Sequence, residues 1–462
     1  MEKEEPRWCE SLRKELLDMA QHLTTQMTGW KKRELVVTPE QFGYQKGLAT
    51  SFLQKAIDYA SNQGGGIVRL KNGDYLSGTI VLKSNVCLEI EKNARLLGST
   101  SLQDYPEHIA SRRTVMDTNM GMNQSLIFAE GCCNIAICGN GIIDGQGSRK
   151  NFPGDETTSA TPGRPFLIRI LDCAGVHIKN VTIKNPACWT QNYLNCEQVL
   201  LEQLKIESQS NYNNDGIDLD GCRDVIVRNC HISSGDDALC LKGASEKETD
   251  RVLIENCTLL SSCNGLKIGT DTQGNFRNIL VRNCVIGGVS EAMHRIKHPH
   301  ADSGISWEAV DGGTVERIWV TDVQIVRAFT PFFIRLDKRG RRKSEDEKPP
   351  ISQIRQILME NICGAHNGPR GSYFLGIPER TIQDIVLKNI KLDQATSQRP
   401  VIQASDIPVM YGFYPDAHMI DHIGDAPAYG LWVRDAERIT LINYRVIPDA
   451  YEKRPMYVGI EP

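Results

Sequence analysis

No stretch of this 462-residue chain is apolar enough to cross a bilayer, which takes roughly 18 to 20 residues. The first residues, MEKEEPRWCESLRKELL, are polar and charged and lack the apolar core of a secretory leader. Either the protein is intracellular, or a leader has been lost and Met1 stands in its place. The expectation carried forward is a periplasmic or secreted protein, with a cytoplasmic one as the alternative. An excess of positive charge is missing too. The 53 Lys and Arg against 57 Asp and Glu leave a net charge of −4, with the basic residues spread along the chain, so no nucleic-acid partner is expected. No Cys-x-x-Cys or Cys/His spacing suggests a zinc site, and neither metal nor cofactor is expected.

Cysteine itself is plentiful, at fifteen residues. An odd number fits a closed disulfide framework poorly, and the spacing argues for another use. Cys230, Cys257 and Cys284 recur every 27 residues in the phrases RNC, ENC and RNC. Residues in one phase of a stacked repeat form a column, and a free thiol is a good small hydrophobe for it.

The repeat is the main structural signal. A phrase of alternating apolar residues begins at Val176, Val199, Val225, Val252 and Ile279, with spacings of 23, 26, 27 and 27. It returns at Ile318, Ile357, Ile385 and Ile439, and two spacings of 39 imply inserted loops around 288–303 and 337–351. Alternation with period two means short strands. Strands too short to bury a face alone imply stacked coils about 4.8 Å apart. Propeller blades would need roughly 40 residues each, longer than most of these repeats. Asn before Cys suggests an amide ladder at a tight bend.

The ends read differently. Glu10 to Met27 and Ala49 to Asn62 are amphipathic helices, and a helix at this end would cap the open stack. Tyr411 to Pro462 is irregular and rich in aromatics and Pro, and reads as a second cap. The expected organisation is a helical extension over 1–36, then one coil-stack domain over 37–462, acting as a monomer.

The chemistry concentrates in Asn213 to Gly243, NNDGIDLDGCRDVIVRNCHISSGDDALCLKG. Phase analysis puts Asp215, Asp236, Asp237, Asn264 and Lys267 on one patch of neighbouring coils. Carboxylates this close cannot all ionise freely, which leaves one as an acid at neutral pH. Two other readings of such residues are turn-forming Asp and a calcium site. Paired carboxyls are also what glycosidic hydrolysis requires, one to protonate the leaving oxygen and one to activate water.

NNDGIDLDGC and SSGDDALCLKG resemble two motifs of glycoside hydrolase family 28, the polygalacturonases, and SCNGLKIGT resembles a third. FGYQKGLATSFLQKAID, GNGIIDGQG and RPFLIRILDC are similar to bacterial members. The resemblance runs from about Val37 to at least Arg335. It implies an all-β fold, a right-handed parallel β-helix, and hydrolysis of pectic α-glycosidic bonds with inversion. It makes Asp236 the general acid, with Asp215 and Asp237 holding and deprotonating the water. Inversion implies carboxyls roughly 6.5–9.5 Å apart.

Two departures bear on substrate. The family's Gly-His-Gly is Cys263-Asn264-Gly265 here. The Arg-Ile-Lys that grips a uronate carboxylate has two candidates, His294-Arg295-Ile296-Lys297 and the segment from Gly304 that offers Ser306 and Glu308. The second fits better by its position before the next strand. A Glu there would repel a uronate and accept sugar hydroxyls. The expected enzyme is therefore a rhamnogalacturonan hydrolase or an exo-acting galacturonidase on branched pectin. Asn213, Asn264, Lys267, Glu308, His298 and Arg335 are candidate substrate contacts, and Trp189 and Gln191 candidate cleft residues. The cluster Lys338, Arg339, Arg341, Arg342 and Lys343 is either solvated or faces an acidic polymer. The rival functions are a pectate-lyase-like enzyme and a non-catalytic carbohydrate-binding β-helix.

Overall fold

The computed structural model describes residues 4–27, 29–31, 33–112, 114, 123–154, 163–245, 247–290, 298–341, 350–396, 401, 416–417 and 425–460. Each repeat phrase is a strand, a one-residue corner and a second strand. Thr249–Glu255 and Thr258–Ser261 flank Asn256, whose φ is +54°. Asn229 and Asn283 take the same corner at +55° and +53°. Asn is one of the few side chains that enters the left-handed region readily, which is why it recurs there. Side-chain amide bonds join a different set of Asn corners, which precede Ile or Tyr and not Cys: Asn389 donates to Asn361 at 3.2 Å and Asn443 to Asn389 at 3.1 Å. From Phe276–Gly288 onward the two strands run on as one 13-residue strand through the same corner.

A third strand in each coil joins a separate twelve-stranded sheet. Pairing between successive coils is parallel and in register. Val176, Val199, Val225, Val252, Ile279, Ile318, Ile357, Ile385 and Ile439, the first apolar residue of each phrase, sit opposite one another in turn. All of them are buried, so the interior is a continuous apolar rod. Cys230, Cys257 and Cys284 belong to that rod, and all fifteen cysteines are free thiols. The fold is a right-handed parallel β-helix.

The two helices do different jobs. α2, Thr50–Asn62, buries Leu53, Ala56, Ile57 and Ala60 against the first coil and closes that end of the rod. α1, Trp8–Gln26, does not cap the stack. Its stripe of Cys9, Leu12, Leu16, Ala20 and Leu23 lies along the outer face of the sheet, over Leu200, Ile226, Leu253, Leu280, Trp319, Leu358 and Val386. Those residues are one register column on seven coils. Their apolar side chains would otherwise face water. Arg13 pins the helix to Glu360 through bonds of 2.8 and 2.7 Å.

The far end differs from expectation. Of Tyr411 to Pro462, the described part is another coil, with strands Leu431–Arg434, Ala436–Pro448 and Tyr457–Val458, and not an irregular cap. The alternation in ITLINYRV carries the strand Ala436–Pro448 through Tyr444 to Pro448 at its end.

If the corner geometry is set by backbone conformation, Asn256→Val should destabilise the protein by about 1–2 kcal/mol, because a β-branched residue resists a positive φ. Asn256→Gly should cost clearly less. Urea denaturation of both variants checks the ranking.

Candidate active site

Glycines let the coils approach at the site. A Cβ on Gly216 would lie 2.5 Å from the Ala238 carbonyl oxygen, and one on Gly265 would lie 2.5 Å from Ile286. With no side chain there, Gly216 N–H donates to the Asp237 carbonyl at 2.8 Å. Ala238 N–H donates likewise to Asn264 at 2.9 Å. Asp215, Asp237 and Asn264 therefore hold equivalent places on three successive coils.

Strand alternation adds a second column. In Ile217–Asp220, Ile217 and Leu219 point into the rod, so Asp218 and Asp220 point outward. Asp218, Cys240, Lys267 and Ser306 lie in register across four coils. Asp236 precedes Asp237 at the turn. Its carbonyl accepts from Ser234 and Ser261 at 2.5 Å each, and its carboxylate accepts the Asp237 N–H at 3.0 Å. Asp236 is half-buried, whereas Asp215 and Asp237 are buried.

Two lysines divide the acids. Lys242 Nζ lies 3.3 Å from Asp215 and 3.4 Å from Asp218. Lys267 Nζ lies 3.3 Å from Asp237 and 2.8 Å from Asp416. Asn264, which stands where the family motif has His, donates to Asp237 at 2.7 Å and accepts from Ser303 at 2.5 Å. Glu308 accepts from Ser306 and is buried beside Asp416. Among the described residues, six carboxyls thus face two ammonium groups, an imbalance that favours protonation within the cluster. Burial, then Asp218, pushes Asp215 well above the usual carboxylate range, against the pull of Lys242. Burial also raises Asp237 against Lys267, raises Glu308, and pushes Asp218 up to about 6 and Asp220 up to about 7.

Asp236, Asp237 and Cys263 bring one ligand atom each to within 4.8 Å of one another. Two carboxylates and a thiol match calcium poorly, since that ion takes six to eight oxygens.

Several expected substrate contacts turn out to be internal. Asn264, Lys267, Glu308 and Arg335 are at most 1 % exposed. Arg335 donates to the buried Asp337 at 2.8 Å, so its charge is answered inside the protein. Glu308 is not available to sugar hydroxyls, because Ser306 and the Asp416 side cover it. Asn213 accepts from Arg164 at 2.8 Å. His298 is partly exposed, with its ring 5.2 Å from Phe329. Trp189 stacks on Phe166 at 5.3 Å as packing, and Gln191 accepts from Tyr193 at 2.7 Å. Arg339 pairs with Asp311 and Asp271 and Arg341 with Asp271, so both serve internal ion pairs. Lys338 pairs with Glu379. Arg295, Lys297, Arg342 and Lys343 lie outside the described residues. Ser306 stands opposite Lys267, and Glu308 opposite Arg335.

Asp218, Lys242 and Asp416 were missed. Asp218 was legible in the alternation of IDLD, whereas Lys242 stands opposite Asp220 and is brought to the site by the reach of its side chain. Asp416 comes from about 150 residues downstream with no local signal.

The family model for "Glycosyl hydrolases family 28" matches residues 67–409. A probable polygalacturonase of Vitis vinifera is 25% identical over 371 residues, covering 77% of this chain and 73% of that protein. An endo-polygalacturonase of Pectobacterium carotovorum subsp. carotovorum is 27% identical over 271 residues, covering 56% and 66%. An exopolygalacturonase structure from Thermotoga maritima superposes with a TM-score of 0.72 over 94% of this chain and 96% of that one, at 18% identity, and supports the fold.

Asp220 gives a stability test. Its raised folded-state pKa means that the folded protein holds a proton which the unfolded chain releases near pH 4. Stability is therefore lost as pH rises from about 4 to about 7. Asp220→Asn should equal wild type below pH 4 and exceed it at pH 8 by on the order of 2–4 kcal/mol. Denaturant midpoints across pH measure the difference.

Proposed function

The chain belongs to glycosyl hydrolases family 28 and is a glycoside hydrolase of the pectin-degrading type, and from that premise we propose that it cleaves pectic α-glycosidic bonds by inversion with Asp236 as general acid. Asp215 and Asp237 are the residues that hold and deprotonate water. The observation that carries this reading is the asymmetry of the three acids. Asp236 has solvent access and a fixed backbone at the turn, so its carboxyl can reach a glycosidic oxygen. Asp215 and Asp237 are buried, each faced by a lysine that favours its ionised form.

The substrate is a specialised pectic chain, cut by a rhamnogalacturonan hydrolase or an exo-acting galacturonidase, and not plain homogalacturonan cut internally. Support comes from the position beside Lys267, where Ser306 and buried Glu308 replace a cationic clamp. Lys267 itself is matched by Asp237 and Asp416. These buried acids lie behind the site and disfavour a sugar carboxylate in front of them, so a neutral sugar fits better. The enzyme is read as a monomer. Among the described residues no helix is long and apolar enough to cross a membrane. Action on extracellular pectin makes a periplasmic or secreted location the proposal.

The test is turnover on a panel of homogalacturonan, rhamnogalacturonan and branched pectic oligosaccharides. Asp236→Asn should lower kcat by about 10²–10⁴-fold on every substrate that wild type cleaves, the range for removal of a general acid. Full turnover by that variant would remove Asp236 from the role. Preferred internal cleavage of homogalacturonan would overturn the substrate reading.

A further inference from the structure

The acid-base set is not complete with the three aspartates of the family resemblance. We propose that Lys242 and Asp218 are positioning residues for the base, Lys242 drawing Asp215 toward its ionised form and Asp218 opposing that pull. The inference rests on the hydrolase reading above and extends it to two residues that the reading does not use.

The geometry is specific. Lys242 lies on the strand Leu239–Gly243, one coil beyond Asp215 and Asp218. Its backbone stands opposite Asp220, yet its Nζ reaches back to within 3.3 Å of Asp215 and 3.4 Å of Asp218. Asp218 is 1 % exposed, and the Lys242 ammonium at 3.4 Å is its ion-pair partner. A carboxyl buried in that way costs stability. Its place is explained by the field it exerts on the lysine and on Asp215. The charged groups that act on Asp215 are Asp218, Lys242, Asp236 and Asp237. Asp218, Cys240, Asp215 and Asp237 act most strongly on Lys242, which also pulls on Asp220 and Asp271. Among the strongest of these influences on Asp215, Lys242 supplies the positive charge and the rest are acids.

A base must be ionised to take a proton from water, and burial among acids works against this. Without Lys242, Asp215 would keep its proton to higher pH. Without Asp218, the lysine's charge would act more fully on Asp215, which would ionise at lower pH. The two substitutions should therefore move the same titration in opposite directions, which a purely structural role would not do.

The experiment is the pH profile of kcat/KM for wild type, Lys242→Met, Lys242→Arg and Asp218→Asn on whichever pectic oligosaccharide wild type cleaves. Activity rises with pH as the base ionises, so the acidic limb reports Asp215. Lys242→Met should shift that limb up by one pH unit or more and lower kcat at pH 6 at least tenfold. Lys242→Arg should restore the limb to within half a unit. Asp218→Asn should shift it down. Limbs that stay in place in the folded variants, or that move the same way in both, overturn the proposal. Should Lys242→Met fail to fold, Asp218→Asn decides alone: an unmoved or raised limb sinks the idea. A substrate-free readout separates this proposal from the hydrolase reading. In protein labelled with ¹³C at the aspartate carboxyls, the signal lost in Asp215→Asn should titrate higher in Lys242→Met and lower in Asp218→Asn. If wild type cleaves no pectic substrate while those shifts appear, the hydrolase reading falls and the charge coupling stands. If the shifts are absent, the coupling falls.

Discussion

Fixed register between neighbouring coils is the constraint from which the rest of the molecule follows. A strand too short to bury its own face must borrow the next coil, and parallel pairing then aligns equivalent residues. The column from Val176 to Ile439 shows how far the alignment persists, even where insertions lengthen the repeat. The left-handed corners at Asn229, Asn256 and Asn283 keep each coil the same size. Slipping one strand by a single residue would turn its core face outward, so the register is strongly specified. The outer column under α1 obeys the same rule, with an apolar residue on every coil needing one helix to cover it.

The active site uses that register to gather charge. Asp215, Asp237 and Asn264 hold one position on three coils, and Asp218, Cys240, Lys267 and Ser306 hold another on four. No single coil could place so many acids together. A group of buried carboxyls is unstable unless cations or protons balance it. Lys242 and Lys267 balance part of it, and burial raises the proton affinity of the remaining acids. A site that must hold a proton at one carboxyl and a bare carboxylate at another follows from this deficit of cations.

How much was legible in the sequence follows from the same physics. The strands, coil spacing, buried Cys column and Asn corners all depend on residues within one repeat, and the alternating pattern displays them. The placing of Asp237 and Asn264 in one column was also readable, because each lies 12 residues after the first apolar residue of its phrase, whereas Asp215 lies 16 after Val199 and its place in that column was hidden by the longer turn. Contacts made by long side chains were not. Lys242 stands opposite Asp220 yet reaches Asp215 and Asp218, and Asp416 arrives on Lys267 from the far end of the chain. Burial was equally hidden, which is why Glu308 and Arg335 looked like substrate contacts and are internal. α1 reads as an end cap by its position in the chain, whereas its apolar stripe matches a column along the side.

The proposed mechanism divides the labour among carboxyls held by register: an accessible acid at Asp236 and a buried pair, Asp215 and Asp237, to handle water. That arrangement requires attack from the face opposite the leaving group. Proton NMR of the first turnovers on a cleaved pectic oligosaccharide observes this directly, before mutarotation scrambles the new reducing end. The account predicts that the first product signal is the anomer opposite to that of the broken bond, the β-anomer from an α-linkage. First appearance of the α-anomer, or of an unsaturated end that absorbs in the ultraviolet, would contradict it.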